Sequence, residues 1–174
     1  MEEIISPIAI ELLESELTSD KFLRKTNKGG NDIYLVTAHN SPNIMKEIAR
    51  LREISFRSSG GGSGLSLDID EYDTCQNPYQ QLIVWNPEAR EIIGGYRFIH
   101  GKDVDFDENG APKLTSSHLF AYSEKFIKEY LPYTLELGRS FFFFSYQSSK
   151  MGSKSLFALD NLWVGIGALI IKLP

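Results

Sequence analysis

The sequence predicts a mixed α/β (α+β) domain, in which a mainly antiparallel central sheet is flanked by helices and its central strands form a meander. Three observations support this prediction: apolar residues at helical spacing in several segments, a strand–turn–strand unit in mid-chain, and no internal repeat or linker. The predicted order is helix, strand, helix, hairpin, helix, strand, helix, strand. We expect a single domain over 1–174, because this length is ordinary for one hydrophobic core.

The first two elements lie near the N-terminus. A helix is predicted over 6–17, because Ser6 can serve as its N-cap and Pro7 suits its first turn. The segment "NDIYLVTA" (31–38) alternates and is rich in residues that favour strands, so we predict a strand there.

A second helix is predicted over 41–57, with Ser41 as its N-cap. Ile44, Ile48 and Leu51 stand at positions i, i+4 and i+7, which places them on one apolar stripe. We expect this stripe to face the core.

Glycines mark the next two features. The stretch "SSGGGSG" (58–64) predicts a flexible loop. Two apolar runs, 79–86 and 90–100, flank a short turn and predict an antiparallel hairpin. Within its second strand, Gly94 and Gly95 indicate a bulge or a close approach of two backbones.

The second half of the chain begins with a polar loop over 101–116, followed by a predicted helix over 117–131. A strand over 134–144 has a nearly continuous apolar end, as expected when both faces are covered. A helix over 153–167 and a last strand over 168–174 complete the prediction. The apolar side of that helix is predicted to consist of Leu156, Leu159, Trp163 and Ile166. Because nothing follows to cover the last strand, we expect a partial domain, truncated at its C-terminus.

Composition excludes several classes of protein. The net charge of −5 argues against non-specific nucleic-acid binding, which needs clustered Lys and Arg. The longest apolar run, 162–171, is too short to span a bilayer. The N-terminus lacks the features of a secretory signal, and the single Cys75 allows no internal disulfide. These features fit a cytoplasmic protein.

Some stretches resemble functional motifs without completing them. The run "DFDENG" (105–110) matches the start of a calcium loop, but the twelfth position is Ser116 instead of Glu. The run "GSKS" (152–155) lacks the earlier glycine of an ATP-binding loop. We therefore predict no metal site. Residues without the spacing or neighbours of a functional site are His39, His100, His118 and Cys75.

Charged residues within apolar strands are the strongest candidates for function. Arg97, Glu136 and Arg139 fall inside predicted strands, where an unpaired charge would be costly to bury. They are expected to pair with each other or with the acidic stretch 67–73, either as a site or as an ion network that only stabilises the fold. Further arginines precede the acidic stretch at Arg50, Arg52 and Arg57.

Taken in order, the segments "RLREISFR", "DIDEYD", "GGYRF", "LELGRSF" and "SLFALDNLW" resemble the GNAT-superfamily N-acyltransferases that make amino-acid lipids. That group comprises ornithine and glycine lipid acyltransferases, often labelled hemolysin-like. The acyl-homoserine-lactone synthases are similar: an early Arg and Phe, a D-x-[FY]-D pair, a strand Arg, then E-x-x-R. The resemblance runs from about Ile33 to the C-terminus, and the "GGGSG" loop is similar to the glycine-lipid branch in particular.

This resemblance implies transfer of a (3-hydroxy)fatty acyl group from a phosphopantetheine thioester to the α-amine of a small amino acid, glycine or ornithine. The donor would be acyl carrier protein or CoA, with no permanently bound cofactor. Glu136 would be the general base, and Arg97 and Arg139 would hold either Glu136 or the acceptor carboxylate. The substrate-binding residues that it implies are Arg52, Asp70 and Asp73.

The resemblance also implies a phosphate-binding loop over 145–153, between the strand 134–144 and the following helix. The residues that would face the phosphate are Lys150, Gly152, Ser153 and Lys154. A backbone N–H of the strand would polarise the thioester carbonyl. Because acyl carrier protein is itself acidic, Lys150, Lys154 and the early arginines would form a local basic rim.

The sequence departs from this group at Phe142 and Phe144, where relatives carry Val and a strand-breaking Pro. Two alternatives to the lipid acyltransferase therefore remain open. One is an acetyltransferase that uses acetyl-CoA. The other is an inactive truncated protein or a membrane-surface protein, with the Phe run as its contact at the inner face of the membrane.

Overall fold

The computed structural model describes residues 1–142 and 153–172, and side chains in the second range from residue 160 onward. The helices are α1 (Ile10–Glu16), α2 (Pro42–Ser58), α3 (Glu71–Thr74) and α4 (Ser153–Lys172). The strands are β1 (Phe22–Lys25), β2 (Asp32–Val36), β3 (Gln80–Asn86), β4 (Glu91–His100) and β5 (Leu135–Phe142). Short 3₁₀ turns cover Gly101–Asp103, Thr115–His118 and Leu131–Tyr133, and a π-helical turn covers Phe126–Tyr130.

The five strands form one antiparallel sheet in the order β1-β2-β3-β4-β5, so each strand pairs with its neighbour in sequence. This arrangement confirms the predicted fold class and the central meander. Helices α1 and α2 cover one face, where Ile44, Ile48 and Leu51 join the core as predicted. Helix α4 covers the other face, where Leu162 and Leu169 pack against the sheet.

A third apolar cluster closes one end of the sheet beneath the chain that links β4 to β5. It consists of Tyr79, Ile99, Val104, Leu114 and Leu131. This cluster holds the 3₁₀ turn Thr115–His118 against the ends of β3 and β5, which is where the candidate site lies.

The two glycines of β4 allow three strands to pack closely. A Cβ atom on Gly94 would lie 2.6 Å from the backbone oxygen of Phe141 in β5, and one on Gly95 would lie 2.5 Å from that of Leu82 in β3. Both distances are shorter than any van der Waals contact, so the predicted close approach of backbones is confirmed.

The N-terminal predictions need two corrections. Helix α1 begins at Ile10 rather than near Ser6, because the backbone N–H of Ile8 is bonded to Glu47 on α2 at 3.1 Å, outside any helix. The short strand β1 was not predicted at all.

Helix α2 was predicted correctly, but its cap was not. The side chain of Ser41 makes no capping hydrogen bond. The carboxylate of Glu16, at the end of α1, instead accepts hydrogen bonds from the backbone N–H groups of Asn43 at 3.0 Å and Ile44 at 2.8 Å. A residue distant in sequence therefore satisfies the first turn of α2.

The predicted helix over 117–131 is wrong. Thr115–His118 is a 3₁₀ turn, Leu119–Ser123 has no helical structure, and the π-helical turn Phe126–Tyr130 follows. Rings of Tyr122 and Phe126 stack with centroids 4.9 Å apart. Leu119 and Phe120, which a packed helix would have buried, are exposed.

The predicted last strand over 168–174 is also wrong, because α4 continues to Lys172. Its buried positions are Asn161, Leu162, Gly165 and Leu169, so the helical period persists through the β-branched run. Trp163, predicted on the apolar side, is 67% exposed. Among the described helices, none combines the length and the hydropathy needed to cross a membrane.

Candidate active site

The acidic stretch is organised by helix α3. Asp70 is the N-cap, and its carboxylate accepts a hydrogen bond from the backbone N–H of Asp73 at 3.3 Å. The Asp73 carboxylate accepts one in return from the backbone N–H of Asp70 at 3.2 Å. This reciprocal capping box turns the D-x-x-D spacing into two carboxylates that are fixed side by side.

Asp73 is completely buried together with Arg52 of α2 and Gln81 of β3. Arg52 donates to both oxygens of Asp73, at 3.3 and 3.1 Å, and to Oε1 of Gln81 at 2.5 Å. Gln81 donates to Asp73 at 2.9 Å, which closes a triangle. Burial lowers the pKa of the Arg52 guanidinium, and the charge of Asp73 opposes that shift.

Arg97 of β4 joins this triangle to Asp70 and Thr115. Its Nη1 lies 2.7 and 2.8 Å from the two oxygens of Asp70 and 3.3 Å from Oδ2 of Asp73. Its Nη2 donates to Oγ1 of Thr115 at 3.0 Å. The guanidinium also lies over the ring of Tyr79, 5.2 Å from the centroid. Burial alone would lower the pKa of Arg97, but Asp70 and Asp73 raise it.

Arg139 stands where β5 bulges. Gly95 pairs with Phe141 and Arg97 with Gly138, so β5 carries one extra residue between these pairs. Arg139 has a φ of +49°, unusual for a residue with a side chain. Its guanidinium binds Asp68 and, at 3.0 Å, Asp70.

The site therefore contains a network of three arginines and three aspartates: Arg52, Arg97, Arg139, Asp68, Asp70 and Asp73. Pairing with the acidic stretch is confirmed. Pairing of Arg97 or Arg139 with Glu136 is wrong, because both guanidinium groups are turned to the aspartates. Burial alone would raise the pKa of Asp70, but Arg97 and Arg139 hold it below its ordinary value.

Glu136 lies apart from these arginines and is surrounded by hydrogen-bond donors instead. Oε1 accepts from the backbone N–H of Ser116 at 2.9 Å and from the Ser116 hydroxyl. Oε2 accepts from the Tyr79 hydroxyl and, at 3.3 Å, from the backbone N–H of Thr115. Burial and the hydrogen bond to Glu136 raise the pKa of Tyr79. The carboxylate is thus held where the start of β3, β5 and the 3₁₀ turn Thr115–His118 meet.

The early arginines do not form the predicted basic rim. Arg52 is buried, Arg50 is bonded to Glu47 at 2.5 Å, and Arg57 is paired with Glu53 at 2.8 Å. Each of these arginines is therefore already paired with a carboxylate of this chain. Of the predicted phosphate-binding residues, Lys150 and Gly152 lie outside the described part of the chain. Ser153 and Lys154 begin α4, and their side chains are not described.

Sequence reasoning missed the neutral members of the site. Gln81 could have been found, because hairpin register places it opposite Arg97. No local pattern pointed to the other members, which are Tyr79, Thr115, Ser116 and Tyr122.

A mainly apolar cavity of about 370 Å³ lies between β5 and α4. Its walls are formed by Tyr96, Leu137, Gly138, Arg139, Ser140, Leu162, Trp163 and Ile166. Arg139 belongs both to these walls and to the ion network, so the cavity adjoins the network at the bulge of β5. Within the described residues, β5 is the edge of the sheet, so the bulge has backbone groups at an open edge.

Comparison with known proteins gives a consistent result. The family model for the acetyltransferase (GNAT) domain matches residues 51–155, which include the ion network and Glu136. A protein of Bacteroides thetaiotaomicron, named glycine N(alpha)-acyltransferase, is 64% identical over 174 residues, covering 100% of this chain and 52% of that protein.

A protein of Phocaeicola vulgatus with the same name is 62% identical over 174 residues, covering 100% of this chain and 53% of the relative. The chain thus spans about half the length of the curated relatives it matches. No solved structure matches.

Proposed function

The chain belongs to the acetyltransferase (GNAT) domain family, and from this premise we propose that it serves in the transfer of a fatty acyl group from a thioester to the α-amine of glycine. The observation that carries the proposal is the 64% identity, along all of this chain, to a protein named glycine N(alpha)-acyltransferase. The charged network and the apolar cavity supply a physical basis for it.

The reaction forms one bond and breaks one. The acceptor nitrogen attacks the acyl carbonyl carbon, forming an amide bond, and the carbon–sulfur bond of the thioester breaks. The acceptor begins as an ammonium ion and must lose a proton before its lone pair can attack. After the attack the nitrogen loses a second proton, which the departing thiolate takes up, so the net reaction releases one proton. A base near the acceptor and a dipole near the carbonyl are therefore required.

We assign the role of base to Glu136, the carboxylate held by Tyr79 and the Thr115–Ser116 turn. A base that is fixed by several hydrogen bonds keeps its position through the reaction. The same donors occupy its oxygens, so the proton must reach it through one of them.

The ion network positions the groups around the acceptor. Arg52 and Asp73 are completely buried and act through their neighbours rather than by touching substrate. Asp70 and Arg139 are partly exposed and lie at the open end of the network. They are therefore the two members of the network that a substrate can reach.

The apolar cavity between β5 and α4 suits a hydrocarbon chain. It borders the bulge of β5, where a backbone N–H at the open edge can donate to the thioester carbonyl. The 20-residue helix α4 begins at Ser153, where the family resemblance implied a phosphate site. Its N-terminal N–H groups can receive the phosphate of a phosphopantetheine arm. The residues that the resemblance assigns to this phosphate begin the helix (Ser153 and Lys154) or precede it in sequence (Lys150 and Gly152).

The donor is proposed to be acyl carrier protein, with acyl-CoA as the alternative. The test is to incubate the protein with glycine and each of three donors: a long-chain acyl carrier protein, a long-chain acyl-CoA and acetyl-CoA. Mass spectrometry then detects the N-acylglycine. We expect product from long-chain donors and little from acetyl-CoA, which would leave the cavity empty. Product from acetyl-CoA alone would favour a small-acceptor acetyltransferase, and no product from any donor would overturn the proposal.

Glu136→Gln keeps the size of the side chain and removes its capacity to take a proton. We expect turnover to fall by about 10²–10⁴-fold, the usual contribution of a general base. Glu129→Gln, an exposed position on the neighbouring π-helical turn, is the matched control and should leave turnover unchanged. Equal turnover of the Glu136→Gln variant and the original protein would exclude Glu136 as the base.

Contact with the inner face of the cytoplasmic membrane remains part of the proposal, because the product is a lipid. The Phe run is a poor candidate for that contact: Phe141 is only 2% exposed and Phe142 packs against the core, while Phe143 and Phe144 lie outside the described residues. Co-sedimentation with anionic vesicles tests the contact, and a protein that stays in the supernatant at low salt would exclude it.

A further inference from the structure

A chain of hydroxyl groups leads from Glu136 toward the surface. We propose that Ser116 and Tyr122 form a proton relay, which carries the proton of the acceptor ammonium to Glu136. This inference rests on the proposed acyl transfer and names two residues that neither the sequence motifs nor the family resemblance singled out.

The hydrogen bonds of the chain all point the same way. The Tyr122 hydroxyl donates to Oγ of Ser116 at 2.6 Å, and the Ser116 hydroxyl donates to Oε1 of Glu136. The backbone N–H of Ser116 donates to the same carboxylate oxygen at 2.9 Å, and this second bond fixes the position of the serine relative to Glu136. A uniform direction of donation ending at a carboxylate is the arrangement that a proton relay needs.

The other donors to Glu136 cannot bring in a proton from outside. Two of them are backbone N–H groups, of Thr115 and Ser116, which do not exchange protons at a catalytic rate. The third is the hydroxyl of Tyr79, which is only 1% exposed and accepts the N–H of Thr115 on its inner side. Of the four described donors, the Ser116 hydroxyl is therefore the one that leads outward.

The outer end of the relay lies at a groove. Tyr122 is partly exposed and borders an open groove of about 610 Å³. The groove lies between the 3₁₀ turn Thr115–His118 and the π-helical turn Phe126–Tyr130. Pro112, His118, Leu119 and Ile127 also border it. The groove is open to solvent, so a small acceptor can approach the Tyr122 end of the relay from this side.

The proton transfer balances. The ammonium gives a proton to the oxygen of Tyr122, the Tyr122 proton passes to Ser116, and the Ser116 proton passes to Glu136. Both hydroxyls are neutral before and after. The ammonium becomes an amine with a free lone pair, and the carboxylate becomes a carboxylic acid.

Ser116→Ala and Tyr122→Phe each break the relay at one hydroxyl. At neutral pH we expect turnover with glycine to fall about 10²-fold, the lower end of what base catalysis contributes, with little change in KM for the acyl donor. As the pH rises, more of the glycine is already a neutral amine and needs no relay. The deficit of both variants should therefore shrink toward high pH, which a purely structural defect would not produce.

Matched variants keep the test independent of folding. Ser116→Thr retains the hydroxyl and should retain most of the turnover. Ser59→Ala and Tyr133→Phe remove exposed hydroxyls outside the relay and should behave like the original protein. Thermal unfolding of every variant is measured in parallel.

Two results would overturn the relay. One is an unchanged pH profile in both Ser116→Ala and Tyr122→Phe while Glu136→Gln is inactive, which leaves the proposed acyl transfer intact. The other is a deficit that is equal at all pH values and accompanies a lowered melting temperature, which assigns these hydroxyls to the fold. Absence of product from the original protein would instead count against the acyl transfer itself.

Discussion

Arg52 and Asp73 are both completely buried, and their side chains meet at 3.1 Å between α2 and the cap of α3. Each has a further partner: Arg52 donates to Gln81, and Asp73 lies 3.3 Å from Arg97. Removing one charge from such a group leaves the other buried without compensation, and that is more costly than losing the pair altogether.

Asp73→Asn is therefore expected to lower the free energy of unfolding by about 3–5 kcal/mol. The substitution keeps the shape but leaves the guanidinium groups of Arg52 and Arg97 short of one buried negative charge. Urea denaturation measures the change. Glu124→Gln is the control, because its ion pair with Lys128 is exposed at both ends and its loss should not be measurable. A cost for Asp73→Asn as small as that of the control would contradict the view that the network supports the fold.

Tyr96 carries a buried polar group without a partner in the described part of the chain, in contrast to the paired side chains of Arg52 and Asp73. It is 4% exposed, and its hydroxyl has no hydrogen-bond partner among the described side chains and backbone groups. Burial raises its pKa, so the group stays neutral. Tyr96→Phe removes an unsatisfied hydroxyl and should leave stability unchanged or raise it by about 1 kcal/mol, as measured by urea denaturation. A loss of more than about 1 kcal/mol would mean that the hydroxyl has a partner in the folded protein.

Much of the fold could be predicted because its signals are local. The hairpin follows from two apolar runs around a short turn, and helix α2 follows from its apolar stripe. The short helix α3 and its capping box were not predicted. The predicted strand over 168–174 failed because β-branched residues favour strands only weakly. Packing of Leu162 and Leu169 against the sheet keeps that segment helical.

The candidate site, like the fold, could be predicted only in part. Charged residues within strands could be found from sequence, because burying them demands partners. The turn that holds Glu136 could not, because Thr115 and Ser116 are fixed by a carboxylate about 20 residues later in the chain and by Tyr79 at the start of β3. With those contacts unknown, the apolar spacing after Ser117 suggested a helix instead.

The close packing of β4 and β5 gives a third prediction. Gly94→Ala would place a methyl group 2.6 Å from the Phe141 oxygen, and backbone cannot move aside easily. We expect a loss of about 1–3 kcal/mol in the free energy of unfolding, together with weaker acyl transfer, because β5 carries Glu136 and Arg139. Gly167→Ala is the control: nothing lies within 4 Å of its added methyl, and alanine favours the helix by up to about 1 kcal/mol. Similar stability of the two variants would contradict the close approach.

The glycine-rich loop after α2 was predicted to be flexible, but a buried carboxylate holds it. Glu53 is completely buried and accepts hydrogen bonds from the backbone N–H groups of Ser63 and Gly64, each at 2.9 Å, and from the Ser63 hydroxyl at 2.7 Å. Arg57 donates to it at 2.9 Å. Burial alone would raise the pKa of Glu53, but these donors hold it below its ordinary value of 4.5.

Glu53→Gln should therefore cost about 2 kcal/mol at neutral pH, the usual value for a buried hydrogen bond to a charged group. The lowered pKa means that the ionised carboxylate stabilises the fold fully above about pH 4.5 and loses its effect as the pH falls through the lowered pKa. The difference between the original protein and the variant should thus be constant from pH 7 to about 4.5 and shrink below that. Urea denaturation at a series of pH values measures it, with the exposed Glu88→Gln as control. A difference that grew with acidity would mean that Glu53 is protonated in the folded protein, and the loop would then be held by other contacts.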